Sequence, residues 1–386
     1  MKFKADALFT GSAMLGSNQV LITDEKGIVE SITAEQEAGD QVVTLQGILC
    51  PGFVNTHCHL ELSHMKGKVA PGSGLVNFLI RVIRERNQTT DALQEAMEQA
   101  EQELYAGGTV AVGDICNTAV SATLKSSSGL QWRNFIEVLG FTDETAQDRF
   151  SYAENIRQQF DTPASLSPHA PYSVSRTLFH LINEASAGGP VTFHNQETAE
   201  EDELYLLKQG GFFKLYEALS ISPASFQASG KSSLQTCLPW LNKASRLLLV
   251  HNTCTHENDI LFTRSLAGTG PEVFFCLCVN ANQYISSLLP PVDLFRKHHC
   301  QLTIGTDSYA SNHQLSILAE LYTIQHAFPH IPLSELLQWA TRNGARALEL
   351  DHQLGSFEKG RQPGVVLISD VVDKKLTEQS KAVRVI

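Results

Sequence analysis

Eight short apolar runs, GFVNTH, TVAVGDI, NFIEVLGF, SLSPHAP, PVTFHN, LLLVHN, VFFCLCV and QLTIGTD, follow one another between residues 52 and 307. Longer amphipathic stretches separate most of them, among them GLVNFLIRVIRERN, DALQEAMEQAEQELYAGG, SYAENIRQQF and SRTLFHLINEASAGG, and SELLQWATRNGARALEL follows the last. Strands that are apolar throughout must be covered on both faces, and helices between them supply the cover, which is the pattern of a parallel sheet. Eight such repeats in roughly 300 residues predict a closed (β/α)8 TIM barrel rather than an open sheet. Before residue 50 the rhythm is that of short alternating runs such as VLITDEKGIVESI and QVVTLQGIL, and GRQPGVVLISDVVDKKLTEQSKAVRVI returns to it at the C-terminus. We therefore expect an α/β chain in two parts: a small β-sandwich domain formed from both chain ends, 1–50 plus 356–386, around a catalytic barrel at 51–355. The polar segment SATLKSSSG reads as a surface loop.

Composition narrows the class of function. With 42% hydrophobic and 18% charged residues, the 386-residue chain has the material for a large core and is neither disordered nor fibrous. Asp+Glu 41 against Lys+Arg 29 gives a net charge of -12, which repels phosphate backbones and argues against a nucleic acid polymer as partner. No apolar run reaches the roughly 18 residues of a membrane span, and MKFKADALFTGS lacks the apolar block of a signal peptide. The expectation is a cytoplasmic protein that does not engage a membrane. Eight scattered cysteines with no CxxC pair predict reduced, mostly buried thiols.

In a barrel, reactive groups collect where the strands end at their C-terminal side. The first run ends in His57-Cys58-His59, and alternation along a strand turns both imidazoles the same way and Cys58 the other. The fifth ends at His194 with Glu197 three residues on, and the eighth ends at Asp307. Three imidazoles and a carboxylate suit zinc or another borderline divalent ion. His169 after the fourth run and His251 after the sixth occupy equivalent places, whereas His180, His256, His298, His299, His313, His326, His330 and His352 read as structural or surface residues. Glu61 shares the parity of His57 and His59, so it either faces the cavity, where it could bind ribose hydroxyls or an amine, or pairs with Lys66 or Lys68. Phe78, Leu79 and Trp132 are candidate apolar contacts.

PGFVNTHCHLELSH, SPHAPYSVS, FHNQE, LVHNTCT and IGTDSYASN, in this order, resemble the motifs of the amidohydrolase superfamily, in particular its deaminase and chlorohydrolase branch. The resemblance covers nearly the whole chain and implies that His57, His59, His194 and Asp307 hold one metal. It makes Glu197 the proton donor to a substrate ring nitrogen, His251 the group that orients the attacking oxygen, and Asp307 the acceptor of the attacking water's proton. His169 would contact substrate. The strand-seven motif departs from the family pattern, reading Cys278-Val279-Asn280-Ala281-Asn282 and keeping only Asn282, which we expect at the substrate. No Lys or Glu in SLSPHAPYS can bridge two ions, so one divalent metal is expected, zinc first, with iron or manganese as alternatives. HLELS is similar to 6-aminofutalosine deaminases. The implied activity is hydrolytic removal of the exocyclic amine of an adenine-type nucleoside, adenosyl or 6-aminofutalosine-like. Alternatives are a guanine, pterin or pyrimidine base deaminase, a triazine-type chlorohydrolase or cyclic amidohydrolase, and, remotely, a metal-free binding barrel. The expected partner is a small molecule, with a homodimer left open.

Overall fold

The eight apolar runs become eight parallel strands: β1 (Phe53–Cys58), β2 (Thr109–Cys116), β3 (Gln131–Val138), β4 (Ala164–Pro168), β5 (Pro190–Asn195), β6 (Arg246–His251), β7 (Glu272–Leu277) and β8 (Gln301–Ile304). The computed structural model describes residues 1–386. Every residue of β1, β2 and β5 is buried, as strands covered on both faces must be. The chain is a mixed α/β fold of TIM-barrel type, with the strands in two parallel sheets ordered β4-β3-β2-β1 and β5-β6-β7-β8. Hydrogen bonds cross both seams between these sheets. The His194 amide donates to the His169 carbonyl across one, at 2.9 Å, and the Thr306 and Asp307 amides donate to the His57 carbonyl across the other, at 3.0 Å each.

Helices fill the connections as their periodicity predicts. In α1 (Leu75–Glu85) the buried residues Leu75, Val76, Phe78 and Val82 form one face, and in α2 (Thr90–Ala106) Met97, Ala100 and Leu104 do the same. The SATLKSSSG segment is not a surface loop throughout. Its centre forms a short helix, α3 (Ala122–Ser126), and the Lys125 ammonium is fully buried, 2.5 Å from Asp114 and 2.8 Å from the Asn134 side-chain oxygen. A lysine in a serine-rich run reads as solvated unless its buried acceptors are known, and they lie on β2 and β3. After α3 come α4 (Ala146–Arg157), α5 (Arg176–Ala185), α6 (Ala199–Leu207) and α7 (Phe212–Ala218).

The two chain ends share a sheet. Val365–Ser369 pairs antiparallel with Ile48–Pro51, in register Val366 with Cys50, and is flanked on its other edge by Lys381–Arg384. Ala7–Phe9 and Met14–Gly16 complete that sheet, and a second one contains Lys2–Lys4, Gln19–Thr23, Val29–Ala34 and Val43–Thr44. Phe3, Leu8, Leu21, Leu49, Phe357 and Val365 pack together there. All eight cysteines are free thiols, with only Cys254 and Cys300 partly exposed. No helix is long and apolar enough to cross a membrane.

Candidate metal centre and substrate cavity

The five motifs meet at the C-terminal ends of the parallel strands. His57 and His59 come from β1, His194 from β5, His251 from β6, and Asp307 from the turn beyond β8. Three sharp turns place these groups, and each uses a left-handed backbone at a residue other than glycine: φ is +44° at Gln196, +73° at His251 with +58° at Asn252, and +56° at Asp307. Such conformations cost about 1–3 kcal/mol apiece and persist only where the surroundings impose them. Here Asn252 supplies the constraint, since its side-chain Nδ2 donates to the Leu249 and Cys276 carbonyls while its Oδ1 accepts from the Asn195 side-chain amide. Gly305 serves the same end by being small. A Cβ there would lie 2.7 Å from the His57 Cβ, so only glycine lets β8 close against β1.

Four ligand atoms face one point. His59 Nε2 lies 3.2 Å from His57 Nε2 and 3.3 Å from His194 Nε2, and Asp307 Oδ1 lies 3.5 Å and 3.3 Å from His57 Nε2 and His59 Nε2. The tautomer of His194 is set from behind: its Nδ1 donates to the His169 carbonyl at 2.8 Å, which leaves Nε2 as a lone pair. Burial lowers His57 well below its usual range and lowers His194 as well. Donors bonded at about 2.0–2.1 Å to a tetrahedral ion stand roughly 3.3 Å apart, so this set fits a divalent cation of zinc's size and coordination habit. Asp307 is held in place through its other oxygen, which accepts from the Ser311 hydroxyl at 2.5 Å. Burial pushes Asp307 up, but its hydrogen bond to His57 and the neighbouring His59 and His251 hold it well below the usual carboxylate range.

Beside this cluster stand two further groups. His251 donates from Nδ1 to the Asn282 side-chain oxygen at 2.8 Å, so its Nε2 is free, and that atom lies 3.7 Å from Glu197 Oε2. Burial raises the Glu197 carboxyl to about 8. His59, His169, His194, Glu197, His251 and Asp307 all border one cavity, whose other wall is apolar and comes from Leu75, Phe78, Leu79 and Val82 of α1 with Leu215 and Leu219 from α7 and its C-terminal edge.

Three expectations need correction. Glu61 does not border the cavity and pairs with neither Lys66 nor Lys68; its two oxygens accept the Asn117 and Thr118 amides and the Thr118 hydroxyl, fixing the turn after β2. Strand parity extrapolated beyond β1 failed because Leu60–Met65 is a 3-10 turn. Asn282 lies behind His251, in the middle of the helix Val279–Ser286, and is not among the groups bordering the cavity. Trp132 packs in the interior against Met97 and Leu104, while Phe78 and Leu79 do reach the cavity.

Sequence reasoning passed over Glu137, the charged residue near the end of β3. Its carboxylate borders the cavity 3.9 Å from both His169 Nε2 and His194 Nδ1. Burial pushes this carboxyl up, yet the imidazoles of His169, His194 and His59 outweigh that and draw it down to about 2. Glu137, His169 and His194 could be taken for a second metal tripod, but His194 Nδ1 is spent as a donor to the His169 carbonyl. The signal was in the string: one acid inside the apolar run NFIEVLGF.

The sequence pattern of the amidohydrolase family matches residues 48–386. The chain is 25% identical over 325 residues to an adenosine deaminase of Helicobacter pylori, covering 82% of this chain and 77% of that protein. It is 26% identical over 349 residues to a 5-methylthioadenosine/S-adenosylhomocysteine deaminase of Teredinibacter turnerae, covering 84% and 73%. Among solved structures, the aminofutalosine deaminase of Helicobacter pylori in complex with methylthio-coformycin superposes with a TM-score of 0.82 at 21% identity over 100% of both chains.

Proposed function

This chain belongs to the amidohydrolase family, and from the geometry of its site we propose that it is a metal-dependent hydrolytic deaminase acting on an adenine-type nucleoside. The observation that carries the reading is the buried Glu197 carboxyl, raised to about 8, standing over the four-ligand cluster 3.7 Å from His251. That arrangement puts a proton donor, a hydrogen-bonding imidazole and a carboxylate base around one reacting carbon. The relatives named as adenosine and 5-methylthioadenosine/S-adenosylhomocysteine deaminases support the same substrate class. The apolar wall of α1 and α7 supports a nucleoside with a 5′ substituent over a free base, and the lack of a basic cluster disfavours nucleotides.

His57, His59, His194 and Asp307 would hold one divalent ion, zinc first and iron or manganese next, since three imidazoles and a carboxylate suit these ions. Bound there, the ion supplies Lewis acidity that brings the pKa of water from 15.7 toward about 7. Asp307, whose second oxygen is steadied by Ser311, accepts a proton from the attacking water. His251, its ring fixed by Asn282, hydrogen-bonds that water through Nε2 and holds it against the carbon that bears the amine. Glu197 gives its proton to the adjacent ring nitrogen as the C–O bond forms, which keeps charge from building on the ring. Asp307 then passes the proton it took from water to the amine, the C–N bond breaks and ammonia leaves, and the remaining hydroxyl proton returns to Glu197 as the ring oxygen becomes a carbonyl.

In this reading the two parallel sheets work as one closed (β/α)8 barrel over 51–355, supported by the hydrogen bonds across both seams. The chain ends, 1–50 and 356–386, form a small β-sandwich beside it, supported by the pairing of Val365–Ser369 with Ile48–Pro51. As part of the same reading, the enzyme's substrate is a small molecule and its compartment the cytoplasm. The test is ammonia release across a panel of purines, pterins, pyrimidines and their nucleosides, with metal content measured on the same preparation. Fastest turnover of an unphosphorylated adenine nucleoside supports the reading, and fastest turnover of guanine, a pterin or a pyrimidine base removes it.

A further inference from the structure

Glu137 carries an unmet hydrogen-bonding demand. Its side chain is 7% exposed, and its Oε1 has no hydrogen-bond partner although it is buried. Leaving a buried charged acceptor unpaired is costly, so the group needs a compensating contact. Its orientation is enforced. Arg86 donates to the Asn117 side-chain oxygen at 2.9 Å, so the Asn117 amide nitrogen must turn toward Glu137, and it donates to Oε2 at 2.6 Å. Oε1 is left facing His169 Nε2 across 3.9 Å, too far for a direct hydrogen bond.

The polarity of His169 can be followed the same way. The Ser173 hydroxyl donates to the Ala170 carbonyl at 3.1 Å and therefore accepts from His169 Nδ1 at 2.6 Å. With the proton on Nδ1, Nε2 is an acceptor. Two acceptors, one anionic, thus stand side by side at the cavity wall, and no donor of the chain bridges them. His194 Nδ1, the other group near Oε1, already donates to the His169 carbonyl. The fit is a ligand with two O–H donors on neighbouring carbons.

Resting on the nucleoside reading above, we infer that Glu137, aimed by Arg86 and Asn117, anchors the vicinal diol of the substrate sugar together with His169 and so selects ribosides over deoxyribosides. One hydroxyl donates to Glu137 Oε1 and its neighbour to His169 Nε2. Glu137 thereby takes no part in the chemistry at the ring; it fixes the sugar.

The test crosses substrate with variant, using the metal-loaded enzyme and 5′-methylthioadenosine against its 2′,3′-dideoxy counterpart. In the wild type kcat/KM should be about 10- to 100-fold higher for the riboside, the range for a hydrogen bond to a charged group. Glu137→Gln turns the acceptor at Oε1 into a donor, because Asn117 claims the amide oxygen. It should lower kcat/KM for the riboside to near that of the dideoxy compound, mostly through KM, and leave the dideoxy compound within about threefold of wild type. Equal handling of the two substrates by the wild type, a comparison that needs no variant, overturns the inference, as does a variant that slows both alike. Turnover of free bases with none of either nucleoside is a different outcome, which removes the nucleoside reading itself.

Discussion

Lys125 Nζ sits 2.5 Å from Asp114 Oδ2 with neither side chain exposed, and the other oxygen of Asp114 accepts the amide of Leu60, the residue after His59, at 2.8 Å. A charge pair buried away from the cavity thus holds the backbone that carries half of the ligand cluster. Removing one partner of such a pair leaves the other charge unpaired, at a cost of about 3–5 kcal/mol. Lys125→Met should lose stability by that amount in urea unfolding, and Lys125→Met combined with Asp114→Asn should recover part of it. A loss under about 1 kcal/mol in the single variant would mean that the pair is not what holds this region.

Glu197→Gln should retain the metal and lose at least about 10²-fold in kcat, the lower end for a positioned proton donor. The wild-type pH profile carries the same information. The carboxyl raised to about 8 is protonated and active below that value, so kcat/KM should fall as pH rises through about 8. Near-normal turnover of the glutamine variant would move the proton donor elsewhere.

Asn282→Ala separates two roles for that residue. Because Asn282 holds His251 Nδ1 and does not border the cavity, the change should lower kcat by about 10- to 100-fold with little effect on KM and none on metal content. A rise in KM at constant kcat would return Asn282 to the substrate.

The strands and the convergence of His57, His59, His194 and Asp307 were legible in the sequence because both depend on local pattern. A short run such as PVTFHN, rich in β-forming residues and preceded by helical pattern and Gly-Gly, reads as a buried strand, and a polar group near its end falls at the strand's C-terminal side. The unread parts depend on partners distant in the chain. Glu61 looked like a cavity residue until the turn after β2 took both its oxygens. Lys125 looked solvated because Asp114 and Asn134 are neighbours only after folding. Glu137 was hidden inside a strand, and its importance comes from an oxygen that nothing pairs with, which is a property of the folded chain.

Burial also raises Glu201 and Glu320 to about 8, well above the 4.5 of an unfolded chain. The native state therefore binds more protons than the unfolded state between those values. The resulting stability is present in full below about pH 4.5 and is lost as pH rises through about 8. Burial lowers His57, His169, His194 and His251, which acts in the opposite direction below about pH 6.5. Melting temperature should therefore fall between about pH 6.5 and pH 8.5, and Glu201→Gln, which keeps an acceptor for the Gln196 amide and the Ser233 hydroxyl, should flatten that decline. An unchanged slope in the variant would show that Glu201 is not titrating in the fold.

The central claim is that one ion in the His57, His59, His194 and Asp307 cluster enables removal of an exocyclic amine. It is tested most directly by ammonia released per molecule of 5′-methylthioadenosine consumed, measured on protein with one equivalent of zinc, after chelation, and after zinc is restored. The account predicts one ammonia per nucleoside, loss of turnover on chelation and recovery at one equivalent per chain. Nucleoside consumed without ammonia, undiminished turnover in the metal-free protein, or a need for two equivalents would contradict it.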